Sequence, residues 1–142
     1  MHRRCRIVAV VGTRPEAIKM APVVAALRAV DWAELRVLAT GQHRELLAAA
    51  FADFGVVPDD DLALMQHGQS HAAFELAATA AVRGRLASMS PDLVLAQGDT
   101  TTVAAAARAC SELGVAFGHV EAGLRSGDLL RPFPEEQNRV YV

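Results

Sequence analysis

The sequence predicts an α/β fold, a parallel β-sheet covered by helices on both faces. Three observations carry this. Short β-branched runs alternate along the chain with longer segments whose apolar residues recur at helical spacing. Such alternation builds βαβ units, in which each crossover returns the next strand parallel to the last. The strand-like runs also end, rather than begin, in glycine and polar residues, as the ligand-facing rim of a parallel sheet does.

The elements follow in order. Residues 6–11 (RIVAVV) are a strand ended by Gly12, and residues 15–27 form a helix that Thr13 can cap and Pro15 can open. Pro22 is expected to kink or restart that helix, because it lacks an N–H and its ring crowds the preceding turn. Residues 35–39 read as strand, Gly41-Gln42-His43 as turn, 44–54 as helix, and 62–65 as a short strand. A long helix over 70–89, a strand over 92–96, a helix over 100–113 and a strand over 115–120 complete the alternation, with a last helix from Pro134 onward. Pro58-Asp59-Asp60-Asp61 reads as a solvated turn, since adjacent aspartates rarely converge on one ion. His67 and His71 are four apart, yet Gly68 and Ser70 place them by a loop, in a structural role rather than a metal site.

With 142 residues, 52% of them hydrophobic, the chain can bury one core. A net charge of -2, from 14 basic and 16 acidic residues spread along the chain, provides no footprint for nucleic acid or an anionic membrane. No segment approaches the roughly 20 apolar residues of a membrane helix. The basic lead and apolar run at the start are followed by charged TRPE, where a signal peptide would need small residues. A cytoplasmic chain is expected, with Cys5 and Cys110 as reduced, buried thiols.

Four strand ends carry polar clusters: Gly12-Thr13-Arg14-Pro15-Glu16, Gly41-Gln42-His43-Arg44, Gln97-Gly98-Asp99-Thr100-Thr101-Thr102, and residues 119–125. Right-handed crossovers put all four on one rim, where helix N-termini favour anions. Asp99, ahead of three threonines, fits a helix N-cap as well as a site carboxylate; Glu121 has no capping signature and follows a strand that reads as buried. The first turn, GTRPEAIK, lacks the glycine spacing of a dinucleotide site, and no phosphate-binding G-x-x-x-x-G-K-[ST] occurs. An anion-binding rim with several carboxylates points to a phosphorylated substrate and acid/base chemistry.

At these clusters the sequence resembles the non-hydrolysing UDP-N-acetylglucosamine 2-epimerases. The resemblance rests on GTRPEAIKMAP, TGQHRELL, QGDTTT, GHVEAGLRSGD and PFPEEQNR, in family order along nearly the whole chain. It implies a Rossmann-like domain over residues 1–142, the N-terminal half of a glycosyltransferase-B-like two-domain fold. By the same resemblance the C-terminal domain is missing or separately encoded, full-length members are homodimers, and no cofactor or metal is needed.

The implied reaction interconverts UDP-GlcNAc and UDP-ManNAc, by eliminating UDP to a 2-acetamidoglucal and adding it back. Asp99, Glu121 and Glu135 match the acid/base carboxylates of the family, and Arg14, Lys19, His119 and Arg125 its substrate-binding residues. Lys19 is the only lysine in the sequence. Gln42, His43 and Gln69 match a second, regulatory UDP-GlcNAc site, although Gly68 stands where regulated members carry arginine and Gln97 where many carry histidine. The 142-residue chain alone is expected to have little epimerase activity, and the face left by a missing domain to be apolar and association-prone. A hydrolysing epimerase and a non-catalytic nucleotide-sugar-binding module are the alternative readings.

Overall fold

The computed structural model describes residues 3–41 and 44–142. Strands and helices alternate through all of it: β1 (Cys5–Val11), α1 (Arg14–Arg28), β2 (Ala33–Ala39), α2 (Arg44–Asp53), β3 (Asp60–Asp61), α3 (His71–Met89), β4 (Leu93–Gln97), α4 (Thr101–Leu113), β5 (Ala116–Val120) and α5 (Glu135–Tyr141). The strands form one parallel sheet in the order β3-β2-β1-β4-β5. This is the parallel sheet expected from the alternation, in the Rossmann-like form that the resemblance implies.

β1 is the central strand, and its composition shows why. Val8 and Val10 point to one face, where they pack with Val82 and Leu86 of α3 and Val103 of α4. Ala9 and Val11 point to the other, against Ala17, Met20 and Val24 of α1 and Leu47 and Phe51 of α2. A strand covered on both sides needs apolar residues at every position, so it reads as a continuous run rather than an alternating one. Each fully buried valine contributes about 1.5 kcal/mol or more, which anchors β1 firmly beneath the polar turn that follows it.

Five details depart from the sequence reading. The helix α1 does not restart at Pro22, whose ring lies on the exposed side of the helix where water can take up the freed carbonyl. The short third strand falls at Asp60–Asp61, paired with Leu38 and Ala39, rather than at 62–65. The aspartate run is therefore not a simple solvated turn: Asp59 Oδ2 accepts from Val37 N at 2.6 Å and Asp60 pairs with Arg85 at 2.8 Å. At a sheet edge, backbone pairing and side-chain bonds suffice, and hydrophobicity is not required. β5, at the opposite edge, is half-exposed rather than buried, and Cys5 at the start of β1 is only partly buried. Cys110 is buried as expected, and burial pushes its thiol up to about 11.

Strand order reverses direction between β1 and β4, so the crossovers leave a crevice at the carboxyl ends of those two strands. Gly12 lets the walls approach closely: a Cβ there would lie 2.2 Å from Thr102 Oγ1 of α4. Beyond β5, residues 121–133 form an exposed connection carrying Leu124, Leu129, Leu130 and Phe133 at the surface, interleaved with Arg125, Asp128 and Arg131.

Candidate active site

The crevice is an open cleft of about 170 Å³, lined from three strand ends by Thr13, Glu16, Lys19, Gln97, Asp99, His119, Glu121, Arg125 and Arg139 among others. Its floor is built from Glu16. This residue is 2% exposed, and its Oε2 accepts the backbone N–H groups of Gly12 and Thr13 at 2.6 Å each. Thr100 Oγ1 donates to the other oxygen. Glu16 thus satisfies the free donors at the start of α1 and ties that turn to the start of α4. Burial is the largest influence on its carboxyl and raises it above the ordinary 4.5, against the opposing pull of these hydrogen bonds.

Glu121 sits at the mouth. Lys19 Nζ lies 2.6 Å from its Oε2, and Gln97 Nε2 donates to the same oxygen. The Lys19 hydrogen bond, aided by Gln97, holds the carboxyl below the usual range. Its backbone is left-handed, with φ 64°, an arrangement costing about 1–3 kcal/mol in a residue with a Cβ. The Lys19–Glu121 pair is about half-exposed on both sides, and pairs of that kind contribute about 0–1 kcal/mol. Stability alone does not account for placing Glu121 this way.

Asp99 lies beside it. Both Nε and Nη2 of Arg139 reach Asp99 Oδ2 at 2.8 Å, and Asn138 Nδ2 donates to the Asp99 carbonyl at 2.8 Å. The N-cap of α4 is Thr100, so the capping reading of Asp99 does not hold: its side chain is claimed by an arginine 40 residues away. His119 Nε2 is 2.6 Å from the Gly98 carbonyl, which can only accept, so that nitrogen carries the proton. Arg125 lines the cleft, donating to its neighbour's carbonyl.

The structure therefore brings Asp99, Glu121, Lys19, His119 and Arg125 together. Arg14 is exposed at the first position of α1, beside Thr13 and Pro15 but outside the cleft lining. Glu135 opens α5, is half-buried, and stands outside the lining, with Oε2 buried and unpartnered among the described residues. Gln69 lies just ahead of α3, its Oε1 likewise buried without a partner among the described residues. Gln42 and His43 lie outside the described residues. His71 bonds Thr101 Oγ1 at 2.9 Å, a structural contact as expected.

Glu16, Glu136, Asn138 and Arg139 were not singled out by sequence reasoning. A signal existed for the first, because Thr13-x-x-Glu16 has capping-box spacing. Arg139, with Glu136 and Asn138, lies within PFPEEQNR, but nothing in its spacing points to Asp99, a partner remote in sequence.

The family model described as UDP-N-acetylglucosamine 2-epimerase matches residues 25–142. The chain belongs to the UDP-N-acetylglucosamine 2-epimerase family. It is 47% identical over 137 residues to the Escherichia coli (strain K12) UDP-N-acetylglucosamine 2-epimerase, covering 96% of this chain and 36% of that protein. A solved UDP-N-acetylglucosamine 2-epimerase superposes with TM-score 0.94 at 41% identity, over 98% of this chain and 39% of its own. The Neisseria meningitidis enzyme solved with bound UDP-GlcNAc superposes with TM-score 0.90 at 40% identity, over 96% and 37% of the two chains. The chain thus spans about 36% of the length of the curated epimerases it matches. No helix among the described residues is long and apolar enough to cross a membrane.

Proposed function

We propose that this chain forms the carboxylate-bearing wall of a UDP-GlcNAc 2-epimerase cleft, with UDP-GlcNAc and UDP-ManNAc as substrates. The observation that carries the reading is the pairing at one switch-point crevice of two carboxylates from remote segments, each gripped by its own cation: Glu121 by Lys19 and Asp99 by Arg139.

The chemistry asks for that arrangement. A carboxylate takes the C2 proton, the C2–H electrons form the C1=C2 bond, and the C1–O bond breaks with its electrons leaving on UDP. The product is 2-acetamidoglucal. Re-addition reverses each movement, with the new proton delivered to C2 from the opposite face, so acid and base must flank the sugar. Asp99 and Glu121, which line the cleft, are the residues assigned to these transfers; Glu135, which the resemblance also names, stands outside the lining of this wall and joins them only if α5 shifts when substrate binds. Lys19, with Arg14 and Arg125 at the same rim, would hold the diphosphate and stabilise the charge developing on it. An arriving diphosphate offers Lys19 a second anion, which loosens its grip on Glu121 and makes that carboxylate a stronger base. His119, its Nε2–H committed to Gly98, keeps Nδ1 for the substrate.

The same reading assigns residues 1–142 to the first domain of a two-domain enzyme, homodimeric and cytoplasmic, with the remaining nucleotide contacts made by the second domain. Turnover then requires the rest of the length found in relatives, in the same polypeptide or added in trans.

The test is conversion of UDP-GlcNAc in deuterated water, with these residues joined to that remaining length. Wild type should yield UDP-ManNAc deuterated at C2, and Asp99→Asn and Glu121→Gln should each lower kcat by about 10²–10⁴. Release of free N-acetylmannosamine with UDP would instead mark a hydrolysing enzyme. Binding of UDP-GlcNAc without any conversion would reduce the cleft to a binding module, and undiminished turnover in both variants would refute the assignment.

A further inference from the structure

We propose that Glu136 is a positioning residue for the reaction, setting Asp99 through Arg139 while standing outside the cleft; this rests on the epimerase reading of the site. Glu136 is 1% exposed, yet it lies in α5, a short helix at the edge of the domain that would not bury a carboxylate without cause.

Its partners explain the burial. Oε2 accepts from Ser126 N at 3.0 Å and Oε1 from Gly127 N at 3.2 Å, so the carboxylate bridges two successive amides of the exposed connection after Glu121. Oε2 also receives Nη1 of Arg139 at 3.2 Å. The opposite edge of the same guanidinium, Nε and Nη2, holds Asp99 Oδ2 at 2.8 Å. One planar guanidinium thus serves two carboxylates, and Glu136 is the one that fixes its plane from within the fold. The Ser126 amide, then Gly127 and Arg139, hold the Glu136 carboxyl below its ordinary range, as expected of an anion built into the fold.

The consequence is geometric. Two segments that meet only at the cleft, the turn bearing Asp99 and the connection leading from Glu121, are both referenced to one buried carboxylate. Both Arg139 nitrogens fall on Asp99 Oδ2, so the other oxygen is the one presented to a substrate. Without Glu136, Arg139 keeps its charge but loses its fixed plane, and the connection loses two of its amide anchors.

Glu136→Gln discriminates, because an amide keeps one acceptor but sets an N–H₂ either against Gly127 N or against Ser126 N and Arg139 together. In the protein that carries these residues with the remaining length of the relatives, kcat should fall about 10- to 100-fold while KM changes less than about threefold, the signature of misplacement rather than lost binding. Glu136→Asp, which keeps the charge, should recover part of kcat. On the 142-residue chain, hydrogen exchange at the Ser126 and Gly127 amides should quicken in Glu136→Gln with core amides unchanged.

Wild-type kcat in Glu136→Gln would overturn the proposal. So would kcat, KM and melting temperature falling together, since that marks an ordinary fold contact. Absence of turnover in wild type would sink the epimerase reading, and the latch would then stand or fall on the two amides alone: unchanged exchange would overturn it.

Discussion

Replacing Gly12 with alanine should lower the stability of the domain by about 3 kcal/mol. A Cβ at this position would lie 2.2 Å from Thr102 Oγ1, 2.8 Å from Thr102 Cβ and 2.8 Å from Thr40 Oγ1. Both threonines are 0% exposed and share a hydrogen bond of 3.0 Å, so neither can swing into solvent. Overpacking of this kind costs about 1–3 kcal/mol. Parting the two hydroxyls adds the cost of their lost hydrogen bond, about 1 kcal/mol. For a domain of this size the sum corresponds to a fall in Tm of about 10 °C. Urea and thermal melts followed by circular dichroism would measure both quantities on the 142-residue chain. Removing the nearest obstacle, in the double variant Gly12→Ala with Thr102→Ala, should recover part of the loss. The same collision would drive α4 away from β1 and spread the Asp99 and Thr13 turns, so turnover should drop with stability. If Gly12→Ala melted within about 0.5 kcal/mol of wild type, the close approach at the switch point would not constrain the fold as argued.

Three further outcomes are expected. Burial raises the Glu16 carboxyl above 4.5 in the folded chain, so its protonation favours folding: the stability of wild type relative to Glu16→Gln should rise as pH falls through the folded value toward 4.5. Parallel urea-midpoint profiles for the two proteins would contradict this. Lys19→Met should change stability by less than about 1 kcal/mol, because the pair is half-exposed, while the Glu121 carboxyl, now without its principal hydrogen bond, titrates higher by carbon-detected NMR. A stationary Glu121 titration would show that Lys19 is not what holds it. Cys110, buried and with its thiol near 11, should resist iodoacetamide at pH 8 while Cys5 is modified; equal labelling rates would disprove the burial.

How much could be read from residues alone depended on the range of the interactions involved. Local backbone and burial rules operate within a few positions, so the alternation of elements, the two-sided burial of β1 and the polar strand ends were all legible. Thr13-x-x-Glu16 was equally local and could have been recognised as a box. The short edge strand was misplaced because pairing at an edge leaves little hydrophobic trace: Asp60 and Asp61 join the sheet through their backbones. Glu121 was found through its lack of any capping role, but the Lys19 ammonium 102 positions away that grips it could not be inferred from spacing.

The sequence by itself determined the parallel α/β architecture, the rim on which polar residues gather, and membership of an epimerase family through motifs that run nearly its full length. Only the tertiary structure decided the partners. Asp99 proved to be held by Arg139 rather than capping a helix, Glu136 proved to be buried beneath both, and Glu135 proved to stand outside the cleft lining. The physical reason is that periodicity and capping are properties of adjacent residues, whereas a charge meets its counterion only after the sheet has folded and brought separate strand ends within a few ångströms.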